Sequence, residues 1–148
     1  MTLTERFVEY AMEFEKTYVD DDWARLEGFF SPEATYEVRN APFACRLEGR
    51  DAIFRGIRKS LDGFDRRFAT RNIEVTEPPK EEGSKVTLGW RGTYTKEGVP
   101  AVTIRGRSEA RYAGDRIVAL SDTYEDGNTA EVTAWMEKHG AGLDPSYV

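Results

Sequence analysis

At 148 residues the chain has room for one domain, whose core needs neither disulfides nor a structural metal. Aromatic residues make up 12 % of it, which argues against disorder, and the net charge of −6 argues against nucleic acid or an anionic membrane as the main partner. The single cysteine, Cys45, excludes an intrachain disulfide and a cysteine-based zinc site.

Two helices are predicted at the N-terminus. Thr2 and Glu5 have the spacing of a capping box, and apolar side chains at steps of three and four continue the first helix to about Val19. The run Asp20-Asp21-Asp22 ends this helix and caps a short second one, because carboxylates accept hydrogen bonds from the free amides of a helix N-terminus. Ser31-Pro32 stops the second helix.

One early strand and a third helix follow. Residues 34–38 are predicted as the strand, and a loop containing Pro42 and Cys45 leads on to Gly49-Arg50-Asp51. There the third helix begins, with an apolar face spaced by four, four and three residues.

The rest of the chain predicts an antiparallel meander and a last short helix. Its strands are residues 71–77, 85–96, 101–112 and 116–125. Pro78-Pro79 closes the first of them, and residues 129–138 form the helix. The last eight residues are expected to be loose, as chain ends commonly are.

The strand at 101–112 has two distinct faces. One face carries charge and meets water or a partner; it consists of Arg105, Arg107, Glu109 and Arg111. The other meets a core or cavity; it consists of Ile104, Gly106, Ser108, Ala110 and Tyr112.

Three stretches of the chain resemble the nuclear transport factor 2-like superfamily, also called SnoaL-like. They are Asp22–Tyr36, with its Asp-Trp-Ala-Arg-Leu and Phe-Ser-Pro-Glu-Ala-Thr-Tyr segments, Gly49–Ile53 and Gly114–Glu125. The likeness covers about residues 4–126, and the C-terminal helix and tail, 128–148, complete a single domain of residues 1–148. It implies an α+β fold, a cystatin-like cone in which three N-terminal helices pack on a strongly bent antiparallel or mixed sheet. The concave side would line a pocket, and the convex side would pair in a homodimer.

Asp122 is the candidate catalytic residue. Strand alternation groups it with Leu120 and Tyr124, on the face that the resemblance places inside the cone. In the SnoaL-like polyketide cyclases an aspartate on the matching strand acts as general acid/base, which implies that role for Asp122 with Tyr124 beside it. The alternative is a carboxylate near the open rim, ion-paired with an arginine.

Other enzymes of this fold are poor matches. The three positions that carry acid groups in ketosteroid isomerase align with Val38, Phe14 and Ser108, so steroid isomerisation is excluded. Limonene epoxide hydrolase needs a second inward aspartate, where this chain has Gly106 and Ser108. Scytalone dehydratase needs inward histidines, and the sole His139 lies in the C-terminal helix.

Aromatic and hydroxyl side chains are predicted to line the pocket, although the same spacings suit a plain hydrophobic core. The predicted ligand-binding residues are Phe14, Tyr18, Trp23, Tyr36, Phe54, Ile57, Phe64, Trp90, Ser108, Tyr112 and Leu120. Arg66, Arg67 and Arg71 either clamp a ligand carboxylate or form salt bridges with Asp65 and the acidic first helix.

These patterns favour a cofactor-free isomerase, cyclase, dehydratase or hydrolase acting on a small apolar or aromatic molecule that can carry a carboxylate. The alternatives are a protein that binds such a molecule without converting it, and a dimeric association module. No metal site and no cofactor are predicted. The chain has no apolar run of about 18 residues, so a cytoplasmic location is expected.

Overall fold

The structure, a computed structural model, describes all residues from Met1 to Val148. Its α-helices are α1 (Leu3–Asp20), α2 (Arg50–Gly63) and α3 (Asp126–His139). Its strands are β1 (Phe30–Arg39), β2 (Cys45–Glu48), β3 (Thr70–Glu82), β4 (Lys85–Thr95), β5 (Val102–Ala113) and β6 (Arg116–Tyr124). Two 3₁₀ helices span Trp23–Phe29 and Asp65–Arg67.

The six strands form one curved mixed sheet in the order β2-β1-β6-β5-β4-β3. β1 runs parallel to β6, and all other neighbours are antiparallel. α1 and α2 pack on the sheet, and α3 closes one end of it against β5. The predicted α+β cone with a C-terminal helix is therefore confirmed. None of the helices is long and apolar enough to span a bilayer.

The N-terminal helix begins as its sequence predicts. The Thr2 side chain accepts from the Glu5 amide while the Glu5 carboxylate accepts from the Thr2 amide, so the capping box is complete. The second predicted helix is shorter and tighter than expected, a 3₁₀ segment that ends at Phe29. Phe30 already pairs with Ile117 of β6, so β1 starts four residues before the predicted position.

Two other boundaries differ from prediction because strand pairing overrides local sequence. The loop around Cys45 contains β2, which pairs with β1 from Val38↔Cys45 to Thr35↔Glu48. β3 continues through Pro78-Pro79, since it is an edge strand whose pairing with β4 is interrupted there by bulges.

The charged face of β5 points away from the helices, as predicted. Arg107 and Arg111 are exposed on it, whereas Ile104, Ala110 and Tyr112 are buried on the opposite face. The exposed, charged face of β5 therefore belongs to the convex side of the sheet.

The C-terminal tail is ordered against α2, so the expectation of a loose end is wrong. The Asp144 amide donates to the Gly63 carbonyl at 2.9 Å, and the Ser60 hydroxyl donates to the Pro145 carbonyl at 2.7 Å. Close approach requires glycine on the helix: a Cβ on Gly63 would lie 1.9 Å from the Asp144 oxygen. The tail thereby brings Tyr147 to the interior of the cone.

Replacing Gly63 with alanine is expected to destabilise the fold by about 1–3 kcal/mol, because the new methyl group overlaps the tail. Alanine normally favours a helix over glycine by about 1 kcal/mol, so the sign of the effect is diagnostic. Urea denaturation measures the loss, and the Asp144 amide should exchange faster with solvent. Gly28→Ala is the matched control, since no atom lies within 4 Å of that Cβ position. Equal effects of the two substitutions would contradict a tightly packed tail.

Candidate functional site

A cavity of about 550 Å³ lies between the concave face of the sheet, the three α-helices and the tail. This volume is within the range of small-molecule sites. Most of the residues that line it are hydrophobic, 24 of 33, so the few polar groups decide what it can bind. The cavity lies where two buried clusters meet, one against α1 and α2 and the other against α3, and Tyr124 packs on both.

Asp122 is placed in this cavity by the register of three strands. β6 runs between β1 and β5, so Asp122 is opposite Val38 on one side and Ser108 on the other. The Ser108 hydroxyl donates to Asp122 Oδ1 at 2.6 Å, and the Tyr36 hydroxyl donates to Oδ2. Trp90 Nε1 donates in turn to Ser108 Oγ at 3.0 Å. This set of four residues, the Asp122 cluster, fixes both carboxylate oxygens.

A glycine on β5 gives the Trp90 indole its position. Gly106 is opposite Trp90 on the neighbouring strand, and a Cβ there would lie 2.8 Å from Trp90 Cζ2 and from the Thr123 carbonyl oxygen. The indole therefore lies over bare backbone, where its N–H reaches Ser108.

Asp122 has no cationic partner within salt-bridge distance, which rules out the alternative of an arginine-paired rim carboxylate. Burial raises its pKa above the ordinary value of 3.8, and the hydrogen bonds from Ser108 and Tyr36 offset only part of that shift. Such a carboxyl group keeps its proton to a higher pH than an exposed aspartate does, which suits it to general acid/base chemistry.

Tyr124 supplies a free hydroxyl beside the carboxyl group. It lines the cavity two residues after Asp122, and its ring meets the Trp90 ring edge-on at 6.0 Å. Its hydroxyl has no hydrogen-bonding partner in the protein. Burial, with the nearby Asp122 carboxylate, raises its pKa well above 10.0, so the group stays a proton donor.

A second polar cluster lines the cavity, made of Asp65, Arg71, Glu15 and Tyr94. Asp65 Oδ2 accepts from the Tyr94 hydroxyl and from Arg71 Nε, both at 3.0 Å. Arg71 also binds both oxygens of Glu15, at 2.9 and 3.1 Å. Burial raises the pKa of Asp65, and the Arg71 guanidinium partly opposes the shift.

The sequence profile of the SnoaL-like domain matches residues 5–120, most of the chain. The chain belongs to the SnoaL-like domain family. A comparison with curated proteins gave no significant match.

Solved structures with the nuclear transport factor 2-like fold resemble this SnoaL-like domain closely in shape. One, an NTF2-like protein of unknown function from Burkholderia pseudomallei, is 15 % identical with a TM-score of 0.66, over 91 % of this chain and 98 % of its own. TerC co-crystallised with polyporic acid is 12 % identical, with a TM-score of 0.64 over 89 % and 98 % of the two chains. A candidate polyketide cyclase from Xanthomonas campestris is 15 % identical, with a TM-score of 0.59 over 90 % and 98 %. At these identities the likeness shows the fold alone.

Most residues predicted for the site lie together on the cavity wall of this SnoaL-like domain. With Asp122 and Tyr124 they are Phe14, Tyr36, Ile57, Phe64, Trp90, Ser108 and Leu120. Val38 also lines the cavity, so the apolar residue predicted to replace an isomerase acid is at the site itself.

Four predicted ligand-binding residues do not line the cavity, and the prediction is wrong for them. Trp23 and Phe54 pack on each other, with ring centroids 5.7 Å apart, in the core between the first 3₁₀ helix and α2. Tyr18 lies beneath the Arg71 guanidinium, 4.3 Å from ring centroid to carbon. Tyr112 is on the predicted face of β5, but it lies near the end of the strand within the hydrophobic core. Its hydroxyl is buried there without a hydrogen-bonding partner.

The arginines after α2 mainly form the salt-bridge network that was one of the two predicted alternatives. Arg66 binds Asp62 at 2.6 Å and Asp21 at 2.8 Å, and Arg67 donates to the Asp62 carbonyl. Of the three, Arg71 alone lines the cavity, and it is paired as well.

Sequence reasoning missed three tyrosines of the cavity, Tyr10, Tyr94 and Tyr147. Tyr10 and Tyr94 follow the apolar spacing of α1 and β4, so that spacing was a usable signal. Tyr147 belongs to no periodic element, and only tertiary contacts place it beside Tyr36, with ring centroids 5.8 Å apart. No three His, Cys, Asp or Glu side chains converge in a way that would hold a metal ion.

Proposed function

We propose that this protein binds a small, largely apolar carbonyl compound and catalyses a proton transfer on it without a cofactor, as a cyclase or isomerase does. The observation that carries the proposal is Asp122: a carboxyl group without a cationic partner, oriented by two hydroxyls, in an apolar cavity. Desolvation makes such a carboxylate a stronger base than it would be in water, which is the property proton abstraction needs.

In the proposed reaction Asp122 removes a proton from a carbon next to a carbonyl group. The electron pair of the C–H bond moves into a new C=C bond, and the carbonyl oxygen becomes an enolate oxygen. The Tyr124 hydroxyl, which has no partner in the protein, donates a hydrogen bond to that oxygen as negative charge develops.

Asp122 then gives the proton back. In an isomerisation the substrate also carries a C=C bond next to the acidic carbon, so a dienolate forms, and the proton goes to the far carbon of that C=C bond, which shifts the double bond. In a cyclisation the enolate carbon attacks a second carbonyl group, and the proton goes to the alkoxide that results. Trp90, Ser108 and Tyr36 act as positioning residues, because they hold the carboxyl group in one orientation.

Two structural relatives support a carbonyl-rich substrate. One is a candidate polyketide cyclase, and the other was crystallised with polyporic acid. Both resemble this chain in fold, with TM-scores of 0.59 and 0.64.

Deuterium incorporation gives a test that does not require the natural substrate. A panel of aryl 1,3-diketones in D₂O supplies the acidic carbon, and NMR measures its exchange rate. Asp122→Asn should lower kcat by about 10²–10⁴-fold while KM changes little, because the lost group acts only in the transition state. Thr123→Ala, on the opposite face of β6, should have wild-type rates. An unchanged rate in Asp122→Asn would contradict the proposed role.

The rate should also depend on pH through Asp122. The reactive form is the carboxylate, so the rate falls as the pH drops through the raised pKa of Asp122. Because that pKa is raised, the acid limb of kcat should have its midpoint above 3.8. A rate that is constant down to the ordinary range of aspartate would argue that Asp122 is not the base.

Binding without conversion is the second candidate function. It is favoured by Val38 and Phe14, apolar cavity residues at positions predicted to match acid groups of ketosteroid isomerase. Diketones that bind with no exchange above the background rate would support this function and contradict the catalytic one.

A further inference from the structure

The cavity contains a second carboxylate, Asp65, and we infer that its ligand is an elongated, uncharged aromatic molecule with hydroxyl groups at both ends and no carboxylate. This inference rests on the proposed function and adds the chemical class of the ligand. It replaces the carboxylate-bearing ligand that the sequence suggested.

The two carboxylates belong to separate polar clusters. Trp90 joins the Asp122 cluster, and Tyr94 joins Asp65. Both aromatic residues are on β4, four positions apart, so their Cα atoms are about 13 Å apart along the strand. Two or three linked rings have about the length that separates these two positions on β4, and a ligand of that length is the one we infer.

Asp65 keeps one oxygen available for a ligand. Both side-chain hydrogen bonds, from Tyr94 and from Arg71, go to Oδ2, and no side chain donates to Oδ1. The side chain lines the cavity and is only 12 % exposed. A ligand hydroxyl can therefore donate a hydrogen bond to Oδ1, and hydrogen bonds to a charged group are stronger than those between neutral groups.

The charges that line the cavity disfavour an anionic ligand. Arg71 is the one cationic side chain on the wall, and its Nε and Nη1 atoms already bind Asp65 and Glu15. This end of the cavity therefore has a net charge of −1, and Asp122 at the other end has no cation. A ligand carboxylate would lose its hydration and meet like charge at both ends.

The wall between the two clusters suits aromatic rings. Phe64, Tyr94 and Trp90 line the cavity, where the Phe64 and Tyr94 rings meet at 66° and the Tyr124 and Trp90 rings at 89°. Flat rings fill such a space with offset or edge-on contacts.

Calorimetry with three probes at pH 8 tests the inference. The probes are 4,4′-dihydroxybiphenyl, 4-hydroxybiphenyl and 4′-hydroxybiphenyl-4-carboxylate. The diol should bind best and the carboxylate worst. Asp65→Asn should lower the affinity for the diol about tenfold, since a hydrogen bond to a charged group is lost. The same substitution should raise the affinity for the carboxylate probe. Asp62→Asn, on the exposed surface nearby, should change neither.

A second variant guards against poor folding of Asp65→Asn. Glu15 is 48 % exposed, so Glu15→Gln should fold, and it makes the end of the cavity neutral. It should tighten binding of the carboxylate probe at least threefold and leave the diol unchanged. The inference would be overturned, without consequence for the proposed function, by equal affinity for all three probes. It would also be overturned if neither variant changed the order of the three affinities. If no probe binds the wild-type protein, the inference is overturned, and exchange of the diketones decides the proposed function separately.

Discussion

Replacing Asp122 with asparagine is expected to stabilise the folded protein at neutral pH while it removes the proposed base. The asparagine amide can accept one of the hydrogen bonds of Tyr36 and Ser108 through its oxygen and donate to the other hydroxyl through its nitrogen, and it carries no charge into the apolar cavity. Residues shaped for function commonly cost stability in this way.

The pH dependence of this effect follows from the direction of the pKa shift. Burial raises the pKa of Asp122 in the folded state above 3.8. Between the unfolded and folded pKa values the folded protein therefore holds more protons than the unfolded chain, so the contribution of Asp122 to stability falls as the pH rises. Below the unfolded pKa the carboxyl group is neutral in both states and the penalty is absent.

Thermal unfolding of the two proteins between pH 4 and pH 8 measures the difference. The Asp122→Asn protein should have the higher Tm at pH 8, by a few degrees, since about 1 kcal/mol corresponds to about 2–4 °C at this chain length. The gap should shrink towards pH 4. Asp115→Asn, at an exposed turn, should show no such trend. A loss of Tm that is the same at every pH would contradict a desolvated carboxylate at position 122.

Replacing Arg71 with methionine should give the largest loss of stability. Arg71 and Asp65 are 13 % and 12 % exposed, and removal of the guanidinium leaves the buried carboxylate without its charge partner. Breaking a buried ion pair in this way costs about 3–5 kcal/mol, and the exposure of Glu15 places this case near the lower end. Urea denaturation at pH 7 measures the loss.

The control for Arg71 is an exposed ion pair. Arg107 pairs with Glu77 on the convex face and is 58 % exposed, so Arg107→Met should change the free energy of unfolding by less than about 0.5 kcal/mol. The double variant Arg71→Met/Asp65→Asn should recover much of the stability lost, because no buried charge is left unpaired. Equal effects of the two methionine substitutions would mean that the Asp65–Arg71 pair is effectively solvated.

Local sequence patterns predicted the parts of the fold that local chemistry determines. The capping box at Thr2 and the two faces of β5 follow from side-chain spacing. Spacing also grouped Asp122 with Leu120 and Tyr124, and the resemblance to the SnoaL-like family implied that this face points into the cone. β2 was missed because four residues give too little alternation, and its strand character comes from pairing with β1.

The site was only partly predictable because spacing shows which face of an element is covered and not what covers it. Trp23 and Phe54 face inward as predicted, but they fill the core, whereas Trp90 faces open space. The hydrogen bond from Tyr36 to Asp122 depends on the parallel register of β1 and β6, in which Tyr36 is opposite Leu120. No pattern within either strand contains that register.

NMR titration of the Asp122 side-chain carboxyl carbon shows whether Asp122 is a desolvated carboxyl group in a ligand site. We expect a midpoint above the ordinary 3.8, and a further change in midpoint when 4,4′-dihydroxybiphenyl is added, since the ligand would contact this group. In Thr123→Ala the free-protein midpoint should be unchanged. A midpoint at or below the ordinary value that does not respond to the diol would mean that Asp122 is neither desolvated nor in contact with a ligand.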